Sequence, residues 1–208
     1  MQNSVVVKVK ICGITHFEDA RHAVACGADA LGFVFADSPR KISVRRASEI
    51  IRRLDPWTAV VGIFVNESSR AIKAAARACR LTVVQLHGDE SPAFLKKIAP
   101  LKIIKSFRVA SPEDLETLSG FEASAFLFDA KVEGRRGGTG KTFDWRLLQK
   151  HRPETPVILS GGLTPSNVTA AVRAVRPYAV DVSSGVEASP GRKDPAKVKR
   201  FILNAKKI

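Results

Sequence analysis

The sequence has little cysteine, few acidic side chains and no long apolar run. Cysteine occurs only at Cys12, Cys26 and Cys79. An odd count, with no CxxC spacing and no neighbouring His pair, argues against a disulfide framework or a zinc site and fits a reducing compartment. No apolar stretch approaches the ~18 residues of a membrane span. The opening residues, MQNSVVVKVK, lack the apolar core and small-residue cleavage site of a signal peptide. A cytoplasmic protein without a membrane partner is expected. Asp and Glu number 20 against 34 Lys and Arg, a net charge of +14. Such an excess admits a nucleic-acid binder or a protein with anionic ligands. The cations are scattered, as at Arg45, Arg46, Arg52, Arg53 and again at Arg70, Lys73, Arg77, Arg80. They form no single run interleaved with aromatics, so most read as solvated helix faces, and no nucleic-acid partner is expected.

What the chain does have is a repeating pattern. Its 208 residues are 45% hydrophobic and 26% charged, as in an ordinary globular domain. A domain of that size buries most of its apolar surface without a covalent or metal staple. Short β-branched runs recur at residues 7–11, 30–35, 60–65, 83–86, 103–109, 125–128, 157–160 and 179–182. They suit strands buried on both faces. Between them lie amphipathic helical segments at 17–25, 47–54, 69–79, 92–98, 112–118, 145–150, 165–175 and 195–204. Four helix starts place a capping side chain before proline: Ser91-Pro92, Ser111-Pro112, Thr164-Pro165 and Asp194-Pro195. Asp114, three residues after Ser111, is a short-armed stand-in for the Glu of a capping box. Eight βα units close most naturally into an α/β fold, a (β/α)₈ TIM barrel of eight parallel strands. An open doubly wound sheet would hold fewer units. No linker-like break interrupts residues 1–208, so one barrel domain is expected.

In such a barrel the chemistry sits at the C-terminal ends of the strands and in the following loops. Gly161-Gly162 and Ser183-Ser184-Gly185 follow the seventh and eighth strands. Glycines allow close backbone approach, so N–H groups can converge on an anion, and serine hydroxyls add donors. Each run alone could be a tight turn; together they point to a phosphate. Cys12 ends the first strand beside Gly13. It reads either as a small buried hydrophobe, the role given to Cys26 and Cys79, or as a proton acceptor with a thiol near ~8.5. Asp129 follows an apolar strand, where desolvation would raise its pKa and let it carry a proton. The alternative is a carboxylate capping backbone or pairing with Lys131. Arg40 offers a planar fork for a carboxylate. His87 and Asp181 read as hydrogen-bonded structural residues, and Asp144, Asn66 and Asn167 as helix-start or loop residues.

The ordered motifs resemble a known family. They are Lys10-Ile-Cys12-Gly-Ile-Thr15, Gly32-Phe-Val-Phe35 with Ser38-Pro-Arg40, Val61-Gly-Ile-Phe-Val-Asn66 and Gln85-Leu-His-Gly88. Further on come Gly137-Gly-Thr-Gly140 with Phe143-Asp-Trp145, Ser160-Gly-Gly-Leu163 with Asn167, and Asp181-Val-Ser-Ser-Gly-Val-Glu187 with Pro190-Gly191 and Lys193-Asp194. In this order, across nearly the whole chain, the set resembles the phosphoribosylanthranilate isomerases of tryptophan biosynthesis. The resemblance implies an Amadori rearrangement of N-(5-phosphoribosyl)anthranilate, with neither cofactor nor metal. It implies Cys12 as general base, Asp129 as general acid and Arg40 on the anthranilate carboxylate. It places the phosphate on Gly161, Gly162, Ser183, Ser184 and Gly185. The partner is then a small phosphorylated substrate, and the assembly a monomer or homodimer. A related histidine-pathway isomerase resembles a two-aspartate design, so Cys12 counts against it. A basic nucleic-acid binder gives no reason for Cys12 and Asp129 to sit at strand ends. Two features stay unexplained by the resemblance: the residues before Lys8 and the basic stretch Glu133-Gly-Arg135-Arg136.

Overall fold

A computed structural model describes residues 6–130, 142–150 and 152–207. The eight β-branched runs form β1 (Lys8–Cys12), β2 (Ala30–Val34), β3 (Ala59–Phe64), β4 (Val83–Leu86), β5 (Ile103–Val109), β6 (Ala125–Ala130), β7 (Val157–Leu159) and β8 (Ala179–Val182). They close in sequence order into a barrel, β8 pairing in parallel with β1. Helices α1 (Phe17–Ala25), α2 (Val44–Ile51), α3 (Ser69–Cys79), α4 (Pro92–Lys97), α5 (Glu113–Glu116), α6 (Arg146–Lys150), α7 (Val168–Val175) and α8 (Pro195–Lys206) each follow the strand of the same number. After β8 come a short 3₁₀ turn (Ser184–Val186) and an antiparallel hairpin of β9 (Glu187–Ser189) and β10 (Arg192–Lys193). The hairpin is an addition that the eight-unit pattern does not anticipate.

Alternation along each strand explains how one barrel carries both a core and a site. Val61, Ile104, Ala125, Leu127, Ile158 and Ala179 point inward and form an apolar cluster in the barrel interior. Their sequence neighbours point outward to the helices; Phe107 meets Phe126 edge to face at 5.2 Å. Two residues further along β6 and β8 from Leu127 and Ala179, the inward positions become polar: Asp129 and Asp181. Lys10 and Cys12 on β1 and Gln85 on β4 complete that upper layer, and all five are buried.

Element boundaries shift where a cap overrides the apolar pattern. Helix α2 starts three residues before the sequence expectation because Ser43 caps it, accepting from the Arg46 N–H at 3.2 Å. Asp194 caps α8, accepting from the N–H groups of Ala196 and Lys197 at 2.9 and 3.0 Å. Asp114 takes the N–H groups of Ala110 and Ser111 at 2.8 and 3.1 Å, the reach expected of the short capping-box residue. Ser91 stands before Pro92 at the start of α4 without a side-chain cap bond. Helix α7 begins at Val168 rather than Pro165, because Asn167 holds the preceding turn.

Candidate active site

The floor of the site is a buried polar network. Lys10 donates to the Asp181 carboxylate at 2.8 Å and to the Gln85 amide oxygen at 2.9 Å. Ser160 reaches the other Asp181 oxygen at 3.3 Å, and the Gln85 amide nitrogen lies 3.0 Å from Nδ1 of His87. Lone buried charges would be costly, so the cation and anion depend on one another. Burial works against the charge on Lys10, but Asp181 and Cys12 outweigh it and hold its pKa above the ordinary lysine value.

Cys12 sits directly above this floor. Burial pushes its thiol up; Lys10 and Lys193 pull it down and Asp181 adds to the rise, leaving it above the ordinary thiol value. The folded barrel thus holds the thiol above the ordinary value from which the sequence reading starts. Asp129 is 6% exposed. Its Oδ1 accepts from the Ala130 N–H at 2.8 Å, while Oδ2 stands 3.5 Å from Nε2 of His87. The backbone-capping reading of Asp129 therefore holds for one oxygen, and the other faces the site. Lys131 lies outside the described residues.

The glycine-rich loops crowd against the same groups. Gly161 has φ +82°, and a side chain there would lie 2.8 Å from Oδ1 of Asp129. A side chain at Gly185 would collide with the Leu163 carbonyl. Asn167 clasps the first loop, accepting from the Thr164 N–H at 2.8 Å and donating to the Gly162 carbonyl at 2.9 Å. Beside the Ser183 loop, Arg40 donates through Nε and Nη2 to Glu187 at 3.2 and 2.6 Å. Lys193 donates to the same carboxylate at 3.0 Å and to the Ser183 carbonyl at 3.2 Å. Burial raises the Glu187 carboxyl, yet Arg40 and Lys193 prevail and hold it below the ordinary carboxylate range.

All eight residues singled out in the sequence line one cavity of about 800 Å³: Cys12, Arg40, Asp129, Gly161, Gly162, Ser183, Ser184 and Gly185. His87, Gln85 and Asp181 line it too. Sequence reasoning gave no role to Lys10, Gln85, Glu187 or Lys193. Lys10 carries a usable signal, since it shares the inward face of β1 with Cys12 two residues on. Glu187 and Lys193 stand in the ordered motif, but their pairing depends on the hairpin and carries no periodic signal. The motif Gly137-Gly-Thr-Gly140 and the basic stretch Glu133–Arg136 lie outside the described residues. Among the described residues no cluster of three His, Cys, Asp or Glu is placed to hold a metal, and no helix is long and apolar enough to cross a membrane. Cys26 and Cys79 are free thiols outside the cavity.

Comparison with known proteins agrees with this fold. Residues 9–204 match the family described as N-(5'phosphoribosyl)anthranilate (PRA) isomerase. The N-(5'-phosphoribosyl)anthranilate isomerase of Geobacter sp. (strain M21) is 51% identical over 204 residues, covering 98% of this chain and 100% of that protein. The crystal structure of phosphoribosyl anthranilate isomerase from Thermotoga maritima is 45% identical, with a TM-score of 0.90 over 97% of this chain and 100% of the other. A crystal structure of a phosphoribosyl anthranilate isomerase in complex with reduced 1-(o-carboxyphenylamino)-1-deoxyribulose 5-phosphate is 44% identical with a TM-score of 0.87 over 97% of this chain and 100% of the other. The chain belongs to the phosphoribosylanthranilate isomerase family, the isomerases of tryptophan biosynthesis that use the TIM barrel.

Proposed function

We propose that this cavity carries out the Amadori rearrangement of N-(5'-phosphoribosyl)anthranilate with Cys12 as general base and Asp129 as general acid. The observation that carries the assignment is that both side chains end inward-facing strand positions and open into one cavity beside the glycine-rich loops. Gly161, Gly162, Ser183, Ser184 and Gly185 take the phosphate, where backbone N–H groups and hydroxyls replace its hydration. Arg40 has five N–H donors; two engage Glu187, and the remainder meet the anthranilate carboxylate. Anchored at both ends, the ribose ring lies between Cys12 and Asp129.

The steps follow from that placement. Protonated Asp129 gives its proton to the ring oxygen as the C1–O bond breaks, and the nitrogen lone pair forms an iminium. The cation acidifies the C2 proton, which the Cys12 thiolate removes, and the C–H electron pair forms an enolamine. Proton return to C1 and loss of the proton on the C2 oxygen give the aminodeoxyribulose. No external oxidant or cofactor enters the balance. We read residues 1–208 as one catalytic domain in a reducing compartment, where Cys12 stays a thiol.

The test is turnover of the anthranilate substrate, followed by fluorescence. Cys12→Ala and Asp129→Asn should each lower kcat by about 10²–10⁴-fold while product-analogue binding changes little. Near-normal turnover in either variant overturns that residue's role.

A further inference from the structure

We propose that Lys10 is a positioning residue that fixes the direction of hydrogen bonding from Cys12 around the barrel floor to Asp129, and so makes His87 a donor to the acid. The proposal rests on the reading of Cys12 as base and Asp129 as acid. An ammonium group has three donors and no acceptor. Gln85, 2.9 Å from Lys10 Nζ, must therefore present its amide oxygen to the lysine. Its NH₂ group then faces Nδ1 of His87 at 3.0 Å, and an amide nitrogen can only donate. Nδ1 must accept, so the proton of the neutral imidazole belongs on Nε2. The flipped amide would set two donors against each other at Lys10. One cation thus decides a tautomer two bonds away along the network.

The consequence falls at the acid. Nε2 of His87 finds no hydrogen-bond partner among the described residues, and it stands 3.5 Å from Oδ2 of Asp129. A closure of about 0.6 Å brings it to ordinary N–H···O length. Oδ1 already accepts from the Ala130 N–H at 2.8 Å. As Asp129 passes its proton to the ring oxygen, negative charge develops on the carboxylate. The Nε2–H bond strengthens at that moment and weakens when Asp129 is reprotonated, so it acts on the transition state more than on the ground state. The imidazole keeps its proton throughout. At the other end of the network Lys10 faces Cys12 from the same strand, with Asp181 on β8, Lys193 on the hairpin and Arg40 from the loop after β2 around the same thiol. Asp181 neutralises the ammonium, so its main effect on the distant His87 is orientation rather than field.

The experiment is long-range ¹H–¹⁵N correlation on the histidine-labelled, unliganded protein at about pH 8, above the ordinary imidazole range. The chain has four histidines, and His87→Gln identifies the signal. Wild type should show His87 protonated on Nε2. Gln85→Met retains the Lys10–Asp181 pair and should admit the Nδ1–H tautomer. It should also lower kcat about tenfold, with KM within about twofold and the alkaline shift of the Cys12 limb unchanged. Lys10→Met should release the tautomer in the same way and also move the Cys12 limb to higher pH. Should Lys10→Met fail to fold, Gln85→Met carries the test alone. An Nδ1–H tautomer in wild type, or a tautomer unaffected by Gln85→Met, overturns the proposal. Because the tautomer is read without turnover, its failure is separate from that of the acid–base assignment, which only the Cys12 and Asp129 variants decide.

Discussion

Arg40 and Glu187 form a two-point contact at 3.2 and 2.6 Å, so the guanidinium reaches the cavity already held in place. For the carboxylate contact proposed for Arg40, holding the side chain beforehand lowers the entropy lost when ligand binds. Glu187→Gln keeps the shape but weakens the grip. The expected result is KM raised about five- to tenfold with kcat little changed, the signature of lost uniform binding. Steady-state kinetics checks it, and an unchanged KM would remove Glu187 from the binding apparatus.

The same carboxylate makes an acid-stability prediction. Its folded pKa is depressed, so the stabilisation is present above the ordinary glutamate value and is lost as pH falls through the folded one. Wild type should therefore melt above Glu187→Gln at neutral pH, and the gap should narrow as pH drops below about 4.5. A gap independent of pH would count against the charge-based account.

Activity should climb with pH through the neutral range. As the proposed base, Cys12 works only as thiolate, and burial holds its thiol above the ordinary value. Below that pKa, kcat/KM should rise about tenfold per pH unit until another group intervenes. A flat profile from pH 6 to 9 would exclude Cys12 as the titrating base.

Gly185→Ala should damage anion binding more than chemistry. The added methyl meets the Leu163 carbonyl, so the loop must move away from the one carrying Gly161 and Gly162. We expect KM to rise at least about tenfold, with a matching loss of competitive inhibition by inorganic phosphate. Retained phosphate inhibition would show that the anion sits elsewhere.

Asp194→Ala removes the cap of α8 and two accepted N–H bonds. A cost of about 1 kcal/mol follows, or about 2–4 °C in Tm for a chain of this length. Asp194→Asn should recover most of it. Thermal unfolding of the three proteins checks the order.

Period and position made much of this molecule legible in its sequence. The positions of Cys12 and Asp129 are legible because a polar side chain closing an apolar barrel strand faces the mouth, while the sequence leaves a structural role open for each. Lys10 escaped because a lysine in a β-branched run looks like surface until its face is counted against Cys12. Glu187 and Lys193 were hidden for another reason: their partnership is created by the β9–β10 hairpin, which no eight-unit pattern contains. Asn167 looked like an ordinary helix-start residue, yet its amide ties together the backbone of the Gly162 loop. Short polar contacts between distant loops leave no periodic trace.

The bond between Lys10 and Asp181 joins residues 171 positions apart. It crosses the seam where the last strand meets the first, and it cannot exist before that seam closes. A chain emerging from the ribosome must therefore extend past β8 before the floor beneath Cys12 is built. Seven strands would leave a buried lysine without its counter-ion, an arrangement that disfavours stable partial barrels. Closure of the ring and the onset of catalytic competence are then a single event, and recovery of turnover during refolding should time the docking of β8 onto β1.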